Sequence, residues 1–161
     1  MNVALSNSET TDTNNPTSLT NIFGFPVLAL RISKLKEHFV VTCEQGKGTT
    51  GGPVLQVSSK KSGMSEIVDR IVLAFDDAGK LDAAWLTFTA EAYGDLERQL
   101  SSVLAPSSNG HSPFNGKLAI FHNDDGEVRV SNALFSDETT LIFMTQKFIE
   151  IKESRQNAAI A

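Results

Sequence analysis

The sequence predicts an α+β domain, mainly antiparallel β, built as a curled sheet or small OB-like barrel with one covering helix. Three observations carry this expectation. Two segments of alternating apolar residues each fold back on a turn in which Gly follows Asp or Asn by three positions, Asp76 to Gly79 and Asn123 to Gly126. Only Tyr93 to Leu104 shows helical apolar spacing. The connections are short, which favours antiparallel neighbours, and the helices are too few for a doubly wound sheet.

The elements follow in chain order. Residues 1–20 are read as a flexible polar arm, because thirteen of the twenty are Ser, Thr, Asn or Pro. Such a stretch buries too little apolar area to offset its ordering entropy. The domain spans 21–152. Ile22 to Ile32 is apolar on both sides and contains Pro26, so an edge or bulged strand is expected. Leu35 to Cys43 reads as a second strand centred on Phe39, Val40 and Val41. A four-glycine loop, Glu44 to Gly52, leads to a short strand at Val54 to Val57.

The first hairpin runs from Glu66 to Thr89, with Ile67, Ile71, Leu73 and Phe75 on one face and Trp85, Leu86 and Phe88 in the return strand. The second runs from Lys117 to Phe135. Both turns suit a type I turn followed by a positive-φ residue, where Gly costs least. Their likeness is read as convergence on a favoured turn. Between them, Tyr93, Leu96, Leu100, Val103 and Leu104 form one helical stripe. Asp95 is a candidate cap, Pro106 a stop, and Ala105 to Gly116 a loop. Thr139 to Ile151 is read as a long strand, apolar on both faces and therefore central. Residues 153–161 are expected to fray.

Composition excludes several classes. The 161 residues suit one domain with its own core. A single cysteine, Cys43, leaves no internal disulfide and no cysteine zinc cluster. No apolar run reaches the roughly 18–20 residues of a membrane span. The first thirty residues hold no Lys or Arg, so no secretory leader is expected and a cytoplasmic location is.

Charge is uneven. Residues 31–61 carry six Lys or Arg against Glu37 and Glu44, a segment charge of +4 within a chain of net charge −5. An acidic chain with one basic segment can attract an anion locally. The expectation is a non-catalytic protein that binds single-stranded nucleic acid. Arg31, Lys34, Lys36, Lys47, Lys60 and Lys61 would meet phosphates, and Phe39 or Trp85 would stack bases.

No other chemistry is legible. The loop from Gln45 to Gly52 lacks the phosphate-loop spacing, since Lys47 is followed by Gly48 rather than Ser or Thr. His38, His111 and His122 form no short-spaced metal pair, and the acidic turns lack the calcium-loop pattern. No cofactor or metal is expected. The competing expectations are a self-assembling homo-oligomer that uses the N-terminal arm, and a small enzyme without a visible motif.

Overall fold

The computed structural model describes residues 19–60, 68–111, 116–123, 125–133 and 135–160. The arm up to residue 18, Lys61 and residues 112–115 lie outside them. Eight strands form one sheet: β1 (Phe39–Lys47), β2 (Gly51–Ser59), β3 (Val68–Asp76), β4 (Leu81–Thr89), β5 (Ala105–His111), β6 (Lys117–Asn123), β7 (Gly126–Asn132) and β8 (Glu138–Thr145). Their order is β1-β2-β3-β4-β8-β7-β6-β5, antiparallel throughout. Two four-stranded meanders therefore meet at the β4–β8 pair.

The sheet is not closed into a barrel: β1 and β5 are opposite edges. The apolar face that a barrel would turn inward is covered instead by helix α2 (Ala92–Val103) and by the chain before β1. That preceding chain corrects the first expected strand. Leu19–Phe23 is a short helix, α1, and Ile32–Glu37 is a 3-10 helix. A strand would turn neighbouring side chains to opposite faces, whereas the adjacent Ile22 and Phe23, and Val27 and Leu30 three apart, are buried in one core. Gly24, at φ 86°, ends α1 just before Pro26. Edge-to-face ring pairs seal the layer, with Phe25 and Phe39 at 5.0 Å and Phe23 and Phe143 at 6.4 Å.

Both hairpins form as expected, with β3–β4 and β6–β7 joined at the two glycine turns. The turns occupy different places in their meanders: third-to-fourth strand in one, second-to-third in the other. This fits convergence on a turn rather than a copied hairpin. The Gly-rich loop is shorter than expected. β1 continues to Lys47 and β2 begins at Gly51, so Gly48–Thr50 is only a hairpin turn. Gly52 has a steric reason: an added Cβ would sit 2.2 Å from the carbonyl oxygens of both Phe75 and Asp76.

Two corrections concern the second half. Ala105 to His111 is edge strand β5 rather than loop, recruited by pairing with β6 despite its composition. The long final strand ends at Thr145, and Gln146–Ile160 is helix α3, so the tail is helical rather than frayed. Thr145 makes the break. Its hydroxyl accepts the Phe148 N–H at 3.1 Å, a helix-capping bond, and donates to the buried Asp82 carboxylate at 3.1 Å. Apolar Phe148 and Ile149 then belong to a helix that packs on the second sheet face, against Ala74, Ala83 and Met144. No helix among the described residues is long and apolar enough to cross a membrane.

Candidate functional site

Residue alternation assigns the second face. Opposite the core positions Ile71, Leu73, Leu86 and Leu141 lie Arg70, Val72, Trp85 and Ile142. The strand register aligns Cys43, Gln56, Val72, Trp85, Ile142, Arg129 and Ile120 in one row across the sheet. Helix α3 packs on the parallel row formed by Ala74, Ala83 and Met144, and its Phe148 also meets Trp85 of the next row. The rest of the face is open.

A cleft of about 490 Å³ lies there. Its floor is Val54, Val72 and Trp85, and its polar groups are Gln45, Gln56, Arg70, Thr87 and Thr140. Trp85 is partly buried and packs edge-to-face with Phe148, the ring centroids 5.9 Å apart and the planes at 71°. The indole is thus packed against α3 and lines the cleft. Arg70 is exposed. None of the described residues that line the cleft is acidic, in a chain of net charge −5. The Gln45 side-chain amide donates to the Gln56 side-chain carbonyl at 3.4 Å.

Further along the face, Glu127 accepts from Arg129 and pairs with His122 at 2.8 Å. Burial pushes the Glu127 carboxyl up, but the Arg129 guanidinium and the His122 ring outweigh it and hold the group below its ordinary value. This triad is internally neutralised, and Arg70 is the cation among the described residues of the cleft.

The structure places the sequence-predicted residues as follows. Trp85 is at the centre of the open face. Phe39 is 2% exposed, enclosed beside Phe25, so its ring offers no face to a base. The basic residues divide between the two ends of the β1–β2 ladder. Arg31 bridges to Lys80 beside the β3–β4 turn, and Lys47 ends β1 near that same end. Lys60 and Lys36 meet at the other end, where the Lys60 ammonium donates to the Lys36 carbonyl. Eight residues of β1 separate the groups, roughly 25 Å. Lys34 is paired with Glu37 at 3.3 Å. Lys61 lies outside the described residues.

Arg70, Gln45 and Gln56 were missed by sequence reading. Arg70 had a usable signal, a charge at the outward position of an alternating strand, directly before Ile71. The two glutamines had none, because their proximity depends on a bulge in β1 between Val41 and Cys43. Cys43 is an exposed free thiol in the same row. Among the described residues no group of three His, Cys, Asp or Glu side chains is placed to hold a metal ion. The chain matches no family model, and neither the curated proteins nor the solved structures contain a match to it.

Proposed function

We propose that the protein is a binding module that holds a short single-stranded nucleic-acid segment on its open sheet face. The observation that carries this reading is the placing of Trp85 and Arg70 in one cleft whose described lining residues include no carboxylate. Single-strand binders stack bases on aromatic strand residues and meet the backbone with cations. Trp85 supplies the stacking surface and Arg70 the cation. The clusters at Lys36/Lys60 and Arg31/Lys47 lie too far apart for one short segment, and act as outlying phosphate contacts on longer strands.

The test uses the only tryptophan of the chain. Titration with a mixed-sequence twelve-nucleotide strand is expected to quench Trp85 fluorescence, with affinity falling as salt rises. Trp85→Ala, followed by fluorescence anisotropy of a labelled strand, is expected to weaken binding about ten-fold or more. Arg70→Glu should weaken it and flatten the salt dependence. No quenching and no anisotropy change at a strand concentration of about 0.1 mM overturns the reading, since even non-specific contacts reach that range.

One observation favours a second reading, self-association along β1. This edge strand exposes Val40 at 53% and Val41 at 42%. Light scattering separates a 17.4 kDa chain from a dimer directly.

A further inference from the structure

The turn between β7 and β8 presents an aromatic on a disfavoured backbone. The Ser136 N–H donates to the Ala133 carbonyl at 2.9 Å, closing a four-residue turn that holds Phe135 at φ 65°. L side chains avoid this left-handed region, and turns that require it ordinarily place Gly or Asn there. Among the described residues no other non-glycine has a positive φ. The turn is tied down: the Ser136 hydroxyl accepts the Glu138 N–H at 3.1 Å, and the Asn132 side-chain amide donates to the Glu138 carbonyl at 2.8 Å. Yet Phe135 is 97% exposed, so its ring adds no packing to the fold. A strained, well-held backbone under an unburied ring points to a use outside the fold.

The register sets this turn at the open end of the cleft. Trp85 pairs with Ile142 on β8, and Thr87 pairs with both Arg70 and Thr140, two residues nearer the turn. In the opposite direction α3 closes the face, with Phe148 against Trp85 and packed on the Ala74, Ala83 and Met144 row. Along the strands, the open way out from Trp85 runs past Arg70 and Thr140 toward Glu138 and the turn before it. Four residues of β8 and the turn itself put Phe135 roughly 20 Å from Trp85. At about 3.4 Å per nucleotide, a stacked strand covers that span with about six nucleotides. Phe135 is followed by Ser136, Asp137 and Glu138, so the turn brings no cation of its own. Its contact is with the face of a base, and the phosphate contact stays with Arg70.

We infer that Phe135 is a second stacking residue, which takes one base of a strand whose other end lies on Trp85. The inference rests on the single-strand reading of the face. Its test follows quenching of Trp85 by deoxythymidine strands of three and ten nucleotides. Lengthening the strand is expected to raise the affinity of the parent about thirty-fold and that of Phe135→Gly about three-fold, the ten-fold difference being one lost stack. Phe135→Gly relieves the backbone, so its loss of binding is not a loss of fold. Phe135→Tyr keeps the ring and is expected to keep the parent's gain. The salt dependence of decamer binding is expected to be the same in the parent and Phe135→Gly, since no phosphate contact is removed. An equal gain with length in the parent and Phe135→Gly, a Phe135→Tyr protein that behaves like Phe135→Gly, or a flattened salt dependence in Phe135→Gly overturns the inference while leaving binding at Trp85 in place. Absence of quenching by either strand removes both.

Discussion

Replacing Gly52 with alanine tests whether the Gly-rich segment is a structural hairpin or a ligand-binding loop. The added Cβ would lie 2.2 Å from the Phe75 and Asp76 carbonyl oxygens and 2.5 Å from the Asp76 carbonyl carbon. Ordinary contact needs about 3.5 Å, so β2 and β3 must separate locally by about 1 Å. That displacement strains the Gly48 N–H bond to the Gly52 carbonyl, 2.8 Å, and the Thr50 hydroxyl bond to the Phe75 carbonyl, 3.5 Å. Overpacking of this kind costs about 1–3 kcal/mol, and each weakened bond about 1 kcal/mol more. The expected loss is about 3 kcal/mol in urea unfolding, with Tm lower by roughly 6–12 °C. Gly94→Ala is the matched control. It lies in α2, and its Cβ meets nothing within 4 Å. It is expected to stabilise the protein by about 0.5–1 kcal/mol. A Gly52→Ala protein within about 0.5 kcal/mol of the parent would refute the close-packing argument.

Further outcomes follow from the same contacts. Thr145→Val removes the cap of α3 and strips Asp82, whose other carboxylate oxygen already has no partner among the described residues. A loss of about 2–3 kcal/mol is expected, with a shift in Trp85 emission as Phe148 loosens. Asp76 accepts from the Ala78 and Lys80 N–H groups and pairs with Lys147, so Asp76→Ala should cost about 2 kcal/mol in denaturant unfolding. Burial raises the Asp76 carboxyl, but the Lys80 N–H, the Lys147 ammonium and the Ala78 N–H outweigh it and hold the group low. Asp76 and Glu127 are both depressed from ordinary values of 3.8 and 4.5. Their contribution is therefore complete above those values and is lost as pH falls through the lower, folded ones. Unfolding midpoints measured from pH 6 downward should fall from about pH 4.5, and less steeply in Asp76→Ala. Phe135 is 97% exposed at φ 65°, so Phe135→Gly should be neutral or up to about 1 kcal/mol more stable by thermal melting.

The elements legible in the sequence were those whose signal is local. Both hairpins carry their turn chemistry within five residues, and α2 carries its own apolar stripe. Three elements were decided by what they pack against. Ala105 to His111 has a loop composition and becomes a strand because β6 offers it a ladder. Phe148 and Ile149 look like a continued strand until Thr145 caps a helix. Ile22 to Leu30 is apolar on every side because it lies as a cover on the sheet, not within it. At the site, Trp85 was legible as an aromatic on a strand. Which side it faces was not, since a one-residue change of register would exchange the two faces. The same ambiguity put Phe39 beside it as an equal candidate, although the two rings lie on opposite faces. The charge count pointed to 31–61, but it sums side chains that β1 holds roughly 25 Å apart.

The way the sheet is finished bears on which surface binds. A solvent-facing antiparallel sheet normally presents polar side chains at its outward positions. Here the outward centre is Val72, Trp85 and Ile142, ringed by Arg70, Gln56, Thr140 and Arg129. Helix α3 packs on part of that face, and its Lys152, Glu153 and Gln156 line a small hollow with Arg129 and Met144. The edge is treated differently. β1 is irregular between Val41 and Cys43 and again between Glu44 and Lys47, and such bulges twist an edge away from pairing. The β1 edge is thus blunted while the open face keeps apolar side chains, which is why the proposal places binding on the face. The two surfaces separate by mutation. Trp85→Lys should abolish strand binding without changing the mass in light scattering, whereas Val40→Lys should leave strand binding intact. If Val40→Lys instead converts an assembled species to a 17.4 kDa monomer while Trp85→Lys changes nothing, the edge is the working surface and the face is only tolerated.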